Sequence, residues 1–198
     1  MKTKEVFWLV LFSVAVFLTI LLKYLPYLPG DVTVTRLIQS LLPESKRWAL
    51  ALSSTAGMPW VLALIAIAFC LSWIIAGWRA ALLSLVAFAG LALLGKILGP
   101  VIAQPRPSPE LVQVTGTLSG SAFPSIFAFN YIATVGFVAV LAAMKGWGKL
   151  RWALLAVCIA LLVAGWIARV APAAHWPSDV ALSYLIGILW VTLLMRWV

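Results

Sequence analysis

The residues best suited to chemistry lie in one short stretch, Arg169-Val-Ala-Pro-Ala-Ala-His175-Trp-Pro-Ser-Asp179. It holds the only histidine of the chain and one of its two aspartates. Apolar runs flank it, Trp152 to Ala168 before and Val180 to Met195 after. Three ionisable groups at a membrane boundary are costly unless they are used. His175 and Asp179 are four residues apart. With Pro177 in the first turn of a helix, Asp179 is expected to reach back to a ring nitrogen of His175. That contact would fix the tautomer and stabilise a positive imidazole.

Other residues point to an anion. Arg106 and Arg169 carry guanidinium forks that match a phosphate, and Lys96 adds a point charge. Phe123-Pro124-Ser125 precedes a long apolar run, so Ser125 is the expected N-cap, and free N–H groups at such a helix start favour anions. A nucleophilic or basic histidine, a carboxylate that orients it and converging cations make a phosphoryl-transfer site. No metal or cofactor is required, because the cationic side chains neutralise the phosphate oxygens. Each residue also has a plainer role. His175 can bond a loop carbonyl, Arg169 can anchor at headgroups, Lys96 can snorkel and Arg106 can be a solvated loop residue.

The elements that must position these groups are membrane helices. The 198 residues are 65% hydrophobic and 10% charged, with a mean hydropathy of +1.12, far above a soluble domain. The fold class expected is an all-α, polytopic membrane protein, a bundle of six spans. The net charge of +9 sits in short loops, where it sets topology and attracts anionic lipid rather than nucleic acid. Cys70 and Cys158 fall inside apolar runs and read as packing residues. The first span, Val6 to about Leu25, has no small-residue cleavage site and reads as a retained helix. Asp31 to Thr55 reads as a short interfacial helix with Leu37, Leu41 and Leu42 as its apolar stripe. The second span runs Met58 to Trp78, with a tight turn at Arg79. The third runs from Ala80 to at least Gly95, and Gly99-Pro100 is expected to loosen it. The polar stretch Gln104 to Ser125 follows. The fourth span runs Phe127 to Met144, then a basic turn reaches Arg151. The last two spans flank the histidine stretch.

If the helices alternate, Lys2, Lys4, Arg79, Lys145, Lys149, Arg151 and Arg196 share one face, which the positive-inside rule makes cytoplasmic. Both termini are then inside. The first polar loop, the Gln104 to Ser125 loop and the histidine stretch meet on the periplasmic or exterior face of a bacterial inner membrane.

Ala168-Arg169, His175 and Asp179 resemble the third motif of the type 2 phosphatidic acid phosphatase family, membrane lipid phosphatases related to the vanadium haloperoxidases. Only the opening serine of that motif differs. Arg106-Pro107 resembles the first motif, with Lys96 about one turn before the usual lysine position. Pro124-Ser125 opens the second motif, but Ile126-Phe127 stands where the family has Gly-His. The resemblance spans roughly Leu94 to the C-terminus and implies a single membrane-embedded phosphatase-like domain over residues 1–198. It implies a phosphohistidine at His175, Asp179 orienting it, and phosphate held by Arg106, Arg169, Ser125 and Lys96. The substrate implied is an isoprenoid or glycerolipid phosphate or diphosphate, undecaprenyl diphosphate being one such carrier. Phe127 occupies the place of the histidine that protonates the leaving oxygen in the family. A non-catalytic relative that binds a phosphorylated lipid or regulates a membrane partner remains the alternative reading. The sequence carries no signal for oligomeric state.

Overall fold

The computed structural model describes residues 3–42, 46–116, 118–145 and 147–198. Lys2 of the basic N-terminus and residues 43–45, 117 and 146 of the expected loops lie outside the described residues. Those described are helical or loop, with no strand among them. The order is α1 (Thr3–Tyr24), α2 (Asp31–Leu41), α3 (Lys46–Ser54), α4 (Trp60–Ala76), α5 (Trp78–Ile102), α6 (Ile126–Tyr131), a π-helical segment (Ile132–Gly136), α7 (Phe137–Lys145), α8 (Gly148–Val170) and α9 (Pro177–Leu194). A short 3₁₀ turn, Met195–Trp197, follows.

Among the described residues, five helical segments are long and apolar enough to cross a membrane: Thr3–Tyr24, Trp78–Ile102, Ile126–Lys145, Gly148–Val170 and Pro177–Trp197. Helix α4 is also apolar but has 17 residues, at the lower limit for a bilayer span. This is a multi-pass, all-α membrane architecture. The segment Ile126–Lys145 is its centre, with 72% of its most apolar window buried against 11% for α1. Around it pack α4 and α5, a hairpin turned at Gly77 (φ 84°), with α8 and α9. Helix α1 lies outside, against α9 and α5, where the Trp8 indole N–H reaches Leu189 O and Thr192 Oγ1 at 3.3 Å each. Cys70 and Cys158 are both free.

Several local expectations change. Gly99-Pro100 does not loosen α5, which runs unbroken to Ile102 and stops at Ala103 in the left-handed region (φ 52°). Proline so near the end removes one donor while the flanking turns hold. The tight turn falls at Gly77, so Arg79 lies within α5. The first polar loop holds two helices, α2 and α3. In α2 the residues facing the protein are Asp31, Thr35 and Ile38, whereas Leu37 and Leu41 point away, 55% and 69% exposed. Pattern alone marks an apolar stripe, but the α9 terminus draws the polar face of α2 inwards.

The π-helical turn was not legible in the sequence. It places Ile132 in a hole made by Gly187 of α9, where an added Cβ would fall on Ile132 Cγ2 and lie 3.0 Å from Ile132 Cβ. Overpacking of this kind costs about 1–3 kcal/mol. Gly187→Ala should therefore lower the Tm in detergent by several degrees; an unchanged Tm would contradict this packing. The orientation expected from the basic loops sets a second outcome. A cysteine at exposed Ser119 should label with an impermeant reagent on intact spheroplasts, and one at exposed Lys149 should not. The reverse pattern would overturn that orientation.

Candidate active site

The site begins with the N-terminus of α9, where a helix leaves N–H groups without partners. Both aspartates of the chain serve it. Asp179 Oδ2 accepts the Trp176 N–H at 2.9 Å, while the Asp179 N–H donates to Trp176 O at 3.1 Å. Asp31 Oδ1 accepts the Ser178 N–H at 2.9 Å, and its Oδ2 accepts the Ser178 hydroxyl at 2.7 Å and the Leu28 N–H at 2.8 Å. Pro177 takes the first helical position, as expected. A carboxylate near a helix N-terminus is also favoured by the dipole.

His175 sits just before this terminus and is 3% exposed. Its N–H donates to Arg169 O at 3.2 Å, across a turn in which Ala173 is left-handed (φ 55°). Its ring Nδ1 lies 2.6 Å from Ala122 O. A carbonyl only accepts, so Nδ1 carries the proton and Nε2 keeps its lone pair. The direct Asp179–His175 contact expected from the spacing is therefore not formed: Ala122 takes Nδ1, and the carboxylate is drawn to the helix terminus. The imidazole is not held positive either. Burial depresses its pKa well below the usual 6.5, the Arg169 and Arg106 guanidiniums depress it further, and the Ala122 bond opposes them. His175 is thus a neutral imidazole at neutral pH.

Both arginines converge on His175, by different means. Arg106 spends one N–H on each of three carbonyls: Nε on Gly120 O at 3.2 Å, Nη1 on Ala174 O at 2.6 Å and Nη2 on Ser119 O at 3.2 Å. It ties the outer loop to the histidine turn and keeps two of its five N–H donors. Desolvation lowers its pKa, opposed by the Asp179 carboxylate. Arg169 Nε is buried with no hydrogen-bond partner. Its guanidinium carbon lies 5.6 Å from the centroid of the Phe127 ring. Among the described residues neither guanidinium forms an ion pair with a carboxylate.

Ser125 is the N-cap of α6, its Oγ accepting the Ala128 N–H at 3.4 Å. It is fully buried, and its own N–H donates to Ser183 Oγ at 3.0 Å, whose hydroxyl donates to Asp179 O at 2.6 Å. Lys96 is exposed on α5, and it is not among the charges acting on His175. The structure thus brings together His175, Arg106 and Arg169, links Ser125 and Asp179 to them through Ser183 and the helix cap, and leaves Lys96 apart. Phe127 stacks on Tyr131, centroids 4.2 Å apart. The Tyr131 hydroxyl turns to Thr55 Oγ1 at 2.5 Å, and Asn130 donates to Ala56 O at 2.9 Å. Glu110 is exposed. Among the described residues none of these three polar groups hydrogen-bonds to the His175 ring, whose Nδ1 meets Ala122 O.

Four contributors were missed from the sequence: Asp31, Ser183, Gln104 and the Ala122 carbonyl. Gln104 is 2% exposed and neighbours the Asp179 carboxylate, and its carbonyl accepts the Ala122 N–H at 2.8 Å. Asp31 had a readable signal, as the second of only two aspartates in an apolar chain. The backbone carbonyl had none.

A multi-pass helical bundle with two part-buried arginines beside a buried histidine at one end of its helices defines a class of membrane protein. Its family is the PAP2 superfamily, to which the chain belongs: the family model matches residues 79–198. The fold is also that of a solved structure described as the first transmembrane PAP2 type phosphatidylglycerolphosphate phosphatase from Bacillus subtilis, with a TM-score of 0.71 and 19% identity over 93% of this chain and 94% of that one. Among curated proteins, none matches the sequence.

The buried neutral imidazole has a consequence for pH. Because its pKa is depressed by folding, the neutral state supports the fold above about pH 6.5. That support is lost as pH falls through the folded value. Thermal stability in detergent should drop as pH is lowered from 7 to 5, and His175→Gln should flatten the drop. Equal acid sensitivity in both proteins would assign it elsewhere.

Proposed function

We propose that this protein is a membrane lipid phosphatase or phosphotransferase that acts on an isoprenoid or glycerolipid phosphate or diphosphate through a His175 phosphoenzyme. The observation that carries the reading is the convergence of two guanidiniums without ion-paired carboxylates on a histidine whose Nε2 lone pair is free. Membership of the PAP2 superfamily supports it. The lipid class is supported by the solved relative, which its description names a phosphatidylglycerolphosphate phosphatase. The whole chain, residues 1–198, forms one membrane-embedded unit with α4 as a sixth crossing, both termini in the cytoplasm and the site on the outer face of a bacterial inner membrane.

In the reaction, Arg169 and the remaining donors of Arg106 hold the phosphate oxygens, and Ser125 supports them. Nε2 of His175 attacks phosphorus, the P–O bond to the leaving group breaks, and the phosphoryl group rests on Nε2. Nδ1–H stays on Ala122 O throughout. Water or another acceptor then takes the phosphoryl group and restores the imidazole. Asp179 acts through the helix cap that fixes the histidine turn.

Phe127 supplies no proton to the leaving oxygen. An alkoxide leaving from a phosphomonoester is about as basic as hydroxide, the conjugate base of water of pKa about 15.7, and general acid help is worth about 10²–10⁴-fold. A lipid diphosphate instead expels a lipid monophosphate, whose second pKa is about 6. The reading therefore favours diphosphates, a polyprenyl diphosphate carrier among them. The packed apolar surroundings of Phe127 favour one second reading, a non-catalytic binder of phosphorylated lipid.

The test is purified protein with polyprenyl diphosphate, phosphatidate and phosphatidylglycerol phosphate, read by phosphate release. Diphosphate should turn over fastest, His175→Ala should abolish release, and Arg169→Ala should cost about ten-fold or more in affinity for the headgroup. Faster monoester hydrolysis would overturn the substrate preference. Binding without turnover of any of the three would favour the non-catalytic reading.

A further inference from the structure

Arg169 and Arg106 reach the same histidine, yet among the described residues only Arg106 is anchored by side-chain hydrogen bonds. Arg169 has a buried Nε with no partner. What it has is the Phe127 ring, with the guanidinium carbon 5.6 Å from the centroid. That ring is itself fixed. It is 5% exposed and stacks on Tyr131 at 4.2 Å with planes 25° apart. Its edge enters a gap left by Gly165, where an added Cβ would lie 2.8 and 3.0 Å from two ring carbons. Gly165 and Arg169 lie on α8 four residues apart, so the ring sits beneath the turn that carries the guanidinium.

We propose that Phe127 is a positioning residue for Arg169: its π face holds the guanidinium fork in place for the anionic headgroup. The inference rests on the phosphate-site reading above. The physical logic is one of charge. A cation over an aromatic face is attracted by the ring quadrupole, but a ring carries no net charge and does not neutralise the cation. A carboxylate in the same place would hold Arg169 equally well and compete with the incoming phosphate. A protonated imidazole there would repel it. Phenylalanine fixes the fork and leaves its charge available. The residue that removes the family's proton donor thus gains a different role in the same pocket.

The test is orthovanadate binding to the full-length protein in detergent, followed by vanadium NMR. Phe127→Leu keeps apolar volume and loses the π face. Trifluorophenylalanine incorporated at position 127 keeps the ring shape and drains the face of its negative potential. Both should weaken vanadate binding by about five-fold, with the bound-vanadate resonance shifted. In an Arg169→Ala background neither change should weaken it further. Arg169→Ala weakening with a neutral trifluorophenylalanine variant would overturn the role of Phe127 and leave the phosphate site standing. So would an effect of either change that persists undiminished without Arg169. Vanadate binding that is absent in the unaltered protein, or indifferent to Arg169→Ala, would overturn the phosphate site and this inference with it.

Discussion

The capping of α9 is the interaction on which the site depends. Helix N-termini need acceptors, and a membrane boundary offers water on one side only. The chain commits both of its aspartates there, Asp179 from within α9 and Asp31 from the start of α2. Once the terminus is closed, the turn from Val170 to Trp176 has little freedom, and His175 folds back onto Arg169 O. The outer loop then has a fixed edge to bind: Arg106 donates to Ala174 O, the Thr115 N–H donates to Pro172 O, and Ala122 O meets the ring. Helix α2 closes the group from outside, where the Gln39 side chain donates to Gln113 O and Ala171 O.

Much of this was legible, for a physical reason. Membrane helices announce themselves by length and hydropathy, so the order of apolar segments and the place of the histidine stretch follow from composition. Side-chain caps are equally local, and Ser125 and Pro177 sit where their chemistry requires. What the sequence hid was choice among partners. A spacing of four residues permits Asp179 to meet His175, but the unsatisfied Trp176 N–H is closer in chain and more costly to leave unpaired. Equally, Arg106 has donors for a phosphate, and the loop carbonyls nearby take three of them first. Neither outcome is encoded in a residue type. The π-helical turn was hidden in the same way, since Ile132 and Gly187 meet only once the helices pack.

The unexpected tautomer partner changes the electrostatics of the site. A carboxylate on Nδ1 would raise the basicity of His175 and stabilise the positive ring formed when Nε2 is occupied. A carbonyl fixes the same tautomer with only a dipole. The site therefore begins with a weakly basic, neutral imidazole, held so by burial and by two nearby cations. Two of the three causes that depress His175 are the arginines, and an anion bound between them offsets both. The headgroup that positions itself for attack would then also raise the basicity of the nitrogen that attacks it. In the proposed reaction, coupling of this sort would make the nucleophile competent only with an anion in place, consistent with the absence of an ion-paired carboxylate among the described residues. On the proposed reading, the charge of Arg169, whose Nε has no hydrogen-bond partner among the described residues, is kept for the ligand.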